Sequence, residues 1–168
     1  KSLDWTCNQR HGVQCIRINP SNPSTVFAAT SEGVYRSVNA GETWTLVLNA
    51  LMAQDIAINP LDTTLVLATC GNFASTGRGV YRSTNGGASF TVITGLPNFT
   101  GKAMIEMYGA NPWRVYLSLA DTAVGTSSYG TGSLRRSTNF GATWTIISNA
   151  PIYGVQGWYA QFVAVHPT

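Results

Sequence analysis

Short apolar segments closed by turn residues recur along the chain in the same order. An apolar strand ends in Asn-Pro, a turn follows, and a second strand comes after it: Ile16 to Thr30, Ile56 to Cys70, and Tyr108 to Leu119. The prolines of Asn19-Pro20, Asn59-Pro60 and Asn111-Pro112 end the first strand, because proline has no N–H to give to a ladder. A third strand and a hairpin then repeat in register. The first copy reads Gly33-Val34-Tyr35-Arg36-Ser37-Val38-Asn39-Ala40-Gly41-Glu42-Thr43-Trp44; the others run Gly79 to Phe90 and Ser133 to Trp144. Each unit therefore predicts strands A, B and C, a tight hairpin, and strand D. Tyr159 to Pro167 reads as one more strand A, ending in His166-Pro167.

The hairpin pattern, Ser-x-Asn-x-Gly-x-Thr/Ser-Trp/Phe, has a mechanical basis. Gly41, Gly87 and Gly141 supply the positive φ that a tight hairpin needs. Asn39, Asn85 and Asn139 bond back onto the turn's own amides, and Ser37, Ser83 and Ser137 reinforce them. Trp44, Phe90 and Trp144 are expected to bury a ring between neighbouring sheets, each contributing roughly 2–3 kcal/mol. The three serines recur at intervals of 46 and 54 residues. Propeller blades have roughly this period.

On these residues the chain resembles the Asp-box (BNR) repeat family, which includes sialidases, xyloglucan-cleaving propeller glycosidases, sortilin-type receptors and a photosystem II assembly propeller. The Asp of the box is Asn in all three copies. The resemblance implies an all-β fold: a β-propeller fragment of three four-stranded antiparallel blades, with the first strand of a fourth. The units fall at about 7–52, 53–100 and 101–152, and the next blade starts over 153–168. In that family the box lies away from the active site, so it implies fold and says little about chemistry. The stretch from Gly157 to Pro167 also resembles the start of a blade in large bacterial surface propellers exported by type IX secretion.

Composition narrows the classes. Charged residues are 10% of the chain and aromatics 11%, which suits an all-β protein and argues against disorder. The net charge of +3 comes from scattered basic residues, so no nucleic-acid partner is expected. No apolar run approaches the roughly 18 residues of a membrane span. The chain opens Lys1-Ser2-Leu3 without Met, as a processed chain or an internal fragment would. Cys7 and Cys15 either close a small disulfide loop or join Cys70 as buried thiols. His11 and His166 stand apart from the cysteines, and neither a metal nor a cofactor is expected.

Two sets of residues are binding candidates. The B–C links are minimal in the first unit, Ser31-Glu32, and long in the others, Gly71 to Arg78 and Ala120 to Gly132. Long loops on one face of a repeat array often mark the binding face. Phe73 and Tyr129 stand at their tips, with Tyr153, Trp158 and Tyr159 in or beside the last D–A loop. These rings either stack on sugars, contact a protein, or pack on neighbouring loops. Aligning the A strands on their prolines also gives a polar column, Gln14, Gln54, Glu106 and Gln161, at the channel end of each innermost strand. It is either a set of cross-strand bonds or a ligand-facing ring.

Catalysis has less support. A glycosidase needs two carboxylates about 5 to 10 Å apart across its substrate. Glu42 and Asp62 lie in turns on the opposite face, leaving Glu106, Asp55, Asp121 and, less favourably, Glu32. The xyloglucan-cleaving relatives are expected to carry a catalytic Asp where this chain has Ser31. Arg17-Ile18-Asn19-Pro20 is similar to the sialidase arginine motif but carries an inserted Asn. The sequence thus favours a non-catalytic extracellular or cell-surface segment, a scaffold and glycan- or protein-binding module completed by further blades of a longer chain or other subunits. Part of an Asp-box glycoside hydrolase, and an assembly-factor-like propeller docked on a membrane complex, are the alternatives.

Overall fold

The computed structural model describes residues 12–73, 75–120, 132–149, 157 and 161–166. The first sheet contains β1 (Val13–Ile18), β2 (Val26–Thr30), β3 (Gly33–Ser37) and β4 (Thr45–Leu48). The second contains β5 (Ala53–Ile58), β6 (Val66–Cys70), β7 (Gly79–Ser83) and β8 (Thr91–Val92). The third contains β9 (Ala103–Met107), β10 (Val115–Ala120), β11 (Gly132–Ser137) and β12 (Thr145–Ser148). Each sheet is a meander in chain order, and every adjacent pair is antiparallel. Three four-stranded blades therefore follow one another, and the described residues contain no helix. Residues 161–166 carry no strand, unlike the expected fourth strand A.

The three hairpins repeat one set of bonds. Ser37 Oγ donates to Asn39 Oδ1 at 2.9 Å and accepts the Gly41 N–H at 2.9 Å. Asn39 Oδ1 also accepts the Thr43 N–H at 2.9 Å. Ser83 and Asn85 make the same bonds to Gly87 and Ser89, and Ser137 and Asn139 to Gly141 and Thr143. Left-handed backbone extends over two residues in each turn: Ala40 and Gly41, Gly86 and Gly87, Phe140 and Gly141. Trp44, Phe90 and Trp144 are half-buried rather than enclosed. Phe90 packs on the core between the first two blades and Trp144 on the core between the last two.

These two cores hold the array together. Phe27, Val34, Ile56, Ile58 and Val66 fill the first, and Leu67, Val80, Ile105, Leu117 and Phe140 fill the second. β5 serves both, and all six of its residues are buried. The turn glycines take part in this packing. A Cβ on Gly87 would stand 2.3 Å from Phe27 Cε1, and one on Gly141 would stand 2.7 Å from Leu67 Cδ2. A bulky side chain from strand B of one blade thus seats on the bare backbone of the next blade's turn. Arg82 adds a bond across the second interface, its Nε donating to Phe140 O at 2.9 Å. The matching Arg36 Nε is buried without a partner, so the seated side chain is the shared feature of the two interfaces.

Candidate functional site

The register separates the polar column expected from the prolines. Ile18, Ile58 and Met107 are equivalent, since they pair with Val26, Val66 and Val115, which pair in turn with Ser37, Ser83 and Ser137. Glu106 therefore matches Arg17 and Ala57. Gln14 and Gln54 lie at register shifts in β1 and β5, where one extra residue bulges from the ladder. The source of the difference is the A–B turn. Asn19, Asn59 and Tyr108 are equivalent, their N–H groups bonding Thr25 O, Leu65 O and Arg114 O. Asn111-Pro112 then matches Asn22-Pro23, and Asn22, Asp62 and Asn111 each accept the N–H two residues on. Blade 1 carries two Asn-Pro pairs, and the second is the counterpart of the pair in blade 3.

Each member of the column has a separate role. Gln14 is exposed, whereas Gln54 is buried and its Nε2 donates to Met52 O at 3.0 Å. Gln161 Nε2 donates to Ser118 O at 2.9 Å and to Ser118 Oγ at 2.8 Å, anchoring residues 161–166 on blade 3. Thr69 occupies the position of Ser118 in blade 2 and donates to Ala103 O at 2.7 Å. Gln54 and Gln161 thus make structural bonds.

Asp55 binds the inner strands together. Arg17 Nη2 donates to its Oδ1 at 2.9 Å, the Ile56 N–H to the same oxygen at 2.9 Å, and the Ile105 N–H to Oδ2 at 3.2 Å. One carboxylate thereby bonds to all three blades. It is 4% exposed, and burial raises its pKa above the ordinary carboxylate value against these favourable donors. Arg17 is fully engaged, since its Nε also donates to Ile56 O at 3.0 Å and its Nη1 to Ile16 O at 3.2 Å. Cys15 Sγ lies 3.9 Å from Asp55 Oδ1 as a free thiol rather than half of a bridge; Cys7 lies outside the described residues. Burial pushes the Cys15 thiol up to about 11 and Cys70 to about 12.

A cleft of about 330 Å³ opens where the A strands reach their turns, lined by Arg17, Ile18, Ile56, Pro60, Glu106 and Met107 among others. Glu106 is its open acid. Partial burial first, and then the nearby Asp55 charge, raise its pKa, while Arg17 opposes them. The site therefore offers one accessible carboxylate on a largely apolar wall beside a neutralised ion pair. Asp55 is closed to substrate, which leaves Glu106 as the open carboxylate among the described residues that line the cleft. Glu32 accepts from Tyr35 Oη at 2.9 Å, Asp62 caps its own turn, and Glu42 lies exposed in a hairpin. Ser31 accepts the Gly12 N–H on its Oγ at 3.0 Å.

On the loop face, Phe73 is 60% exposed and holds a left-handed backbone at φ 48°. Its loop is anchored by buried Asn72, whose Oδ1 accepts the Phe73 N–H at 3.0 Å. Tyr129, Tyr153, Trp158, Tyr159, Asp121 and His11 lie outside the described residues. Among the described residues, no three His, Cys, Asp or Glu side chains group as a metal site would require.

No protein-family model matches the chain, and no curated protein does. Among solved structures it is similar to an ancestral GH74 enzyme, at 23% identity and a TM-score of 0.66, over 84% of this chain and 19% of that one. It is also similar to YCF48 from Cyanidioschyzon merolae, at 16% identity and a TM-score of 0.50, over 83% of this chain and 38% of that one. The chain spans well under half the length of either neighbour. At these identities the likeness shows the fold alone: the three sheets are β-propeller blades.

Proposed function

We propose that the chain is a non-catalytic run of blades in a larger extracellular β-propeller of the Asp-box type, a scaffold that offers its surface to a glycan or protein partner. The observation that supports this reading best is the state of Asp55: the acid held among the inner strands is buried and bound by groups from three blades. Ser31 in place of the expected acid points the same way. The rival reading is a glycoside hydrolase whose second acid lies in another blade; the open Glu106, with its raised pKa, is what favours it.

The two readings separate in one experiment. The purified chain is incubated with xyloglucan and with a sialylated oligosaccharide, following release of reducing sugar and of sialic acid. Native gels containing each glycan report retardation. Scaffolding predicts no release above the buffer blank, whether or not a glycan retards the chain. Release that Glu106→Gln abolishes would establish the hydrolase instead.

A further inference from the structure

We infer that the groove between the outer strand of blade 2 and the hairpin of blade 3 binds an acidic sugar, a hexuronate unit of a glycan whose carboxylate pairs with Arg82. The inference rests on reading the chain as a scaffold for a glycan partner, and names the chemical class that this surface selects.

The groove lies where strand D of blade 2 stops early. β8 is two residues long, against four in β4 and β12. Tyr81 pairs with Val92 and Arg82 with Thr91, the Ile93 N–H bonds to Val80 O at 2.8 Å, and the chain then leaves the sheet. Between this edge and the Gly141-Ala142 turn of blade 3 lies a space of about 380 Å³. Ligand clefts run from roughly 300 to 1,000 Å³. Arg82 and Thr91 are cross-strand partners, so their side chains stand on one face of the sheet. Thr84 and Thr94 bring two more hydroxyls to the groove, and Ile93 gives it an apolar wall.

Arg82 sets the charge preference. Its Nε donates to Phe140 O at 2.9 Å, which fixes the guanidinium across the interface, while Nη1 and Nη2 make no bond among the described residues. A planar fork held in place matches a carboxylate. The residues lining the groove include no Asp or Glu to compete for it. The threonines select the rest of the ligand. Thr84, Thr91 and Thr94 are exposed, and their hydroxyls are unbonded among the described residues. Each hydroxyl can donate and accept, as the ring hydroxyls of a sugar do, whereas the carboxylates of an acidic peptide only accept. Blade 1 lacks this set: Val38 stands where blade 2 has Thr84, and the Arg36 Nε is buried without a partner.

The test is affinity electrophoresis of the 168-residue chain in native gels that contain polygalacturonate, its fully methyl-esterified form, or polyglutamate, at one ionic strength. The inference predicts retardation by polygalacturonate alone, relieved by free galacturonate. Arg82→Gln should weaken it about tenfold, as loss of a charged hydrogen-bond pair does. That change also removes the bond to Phe140, so urea midpoints are compared in parallel. Thr94→Glu leaves the bond in place and sets a like charge in the groove, and it should weaken retardation as much. Arg136→Gln, the same charge change at an exposed position of strand C in blade 3, should have less than about a twofold effect. No retardation by polygalacturonate, or full retention in Thr94→Glu, would overturn the inference. So would equal retardation by polyglutamate, which would make the ligand an acidic peptide, or an equal loss in Arg136→Gln, which would make it general charge attraction. The scaffold reading is decided by release of sugar and this inference by retardation, so the two fail separately.

Discussion

Replacing Gly87 by Ala tests whether the turn glycines are needed for backbone freedom alone or also for the seat they provide. Gly87 sits at φ 73° and Gly41 at φ 96°, so alanine is strained at both. The left-handed backbone costs an alanine roughly 1–2 kcal/mol. Gly41 lies further from the left-handed well near +57°, so backbone strain alone should make it the costlier site. Packing reverses that order. At Gly87 the new methyl would lie 2.3 Å from Phe27 Cε1 and 2.5 Å from Cζ, whereas at Gly41 its nearest neighbour is 3.6 Å away. Overpacking of this kind adds about 1–3 kcal/mol. Gly87→Ala should therefore lose about 2–5 kcal/mol and Gly41→Ala only about 1–2. In urea unfolding, with a slope near 1–3 kcal/mol/M, the gap between the two midpoints should be on the order of 1 M. Adding Phe27→Ala to Gly87→Ala should cost less than the sum of the single changes, since the clashing ring is gone. Equal losses at the two glycines, or strict additivity with Phe27→Ala, would refute the seat.

Three further outcomes follow from the bonds described. Asn85→Ala should lose about 1 kcal/mol through the turn bonds, while Asn85→Asp keeps the acceptor for Ser83 and Ser89 and should be nearly neutral; thermal melts of both variants check this. Asp55→Asn should cost about 2 kcal/mol, because the amide Nδ2 takes the place of one of the two oxygens that accept from Arg17, Ile56 and Ile105 and leaves a donor facing a donor. Burial holds the Asp55 carboxyl above its unfolded value, so the folded chain binds the extra proton and wild-type stability should fall as pH rises through that window. The Asn variant should lack this part of the slope when urea midpoints are compared across acidic pH. Finally, with thiols pushed up to about 11 and 12, half-buried Cys15 and buried Cys70 should resist alkylation at neutral pH in the native chain and react once urea exposes them; prompt native labelling of Cys70 would contradict its placement in the core.

What the sequence made legible tracks how far apart the bonded residues are. The hairpins could be read because Ser37, Asn39, Gly41 and Thr43 bond within four positions of one another, and the same set returns twice. Strand order followed from the turns that bound each strand. The inner-strand column was misaligned because blade 1 has Asn-Pro at both Asn19 and Asn22, and only the ladder decides which one Asn111 matches. The role of Asp55 was hidden for a different reason: its cross-blade partners are 38 and 50 residues away, on strands with no sequence mark of their adjacency. The glycines were recognised as turn residues, but their second role depends on Phe27 and Leu67, which read as ordinary core residues. A clue did exist in Asp55 itself, an acid within a strand that is otherwise apolar but for Gln54.

The reach of Asp55 across three blades bears on how the array comes apart. Repeat proteins held only by nearest-neighbour contacts can lose units one at a time from an end. Here, displacing β5 would strand the Arg17 guanidinium on one side and the Ile105 N–H on the other, so the inner strands should open together. The outer hairpins are tied less widely: their Ser and Asn bonds close within each turn, Arg82 reaches only the next blade's Phe140 O, and strand D is as short as Thr91–Val92 in blade 2. Protection against hydrogen exchange should accordingly fall from axis to rim within every blade, rather than from the middle of the chain towards its ends.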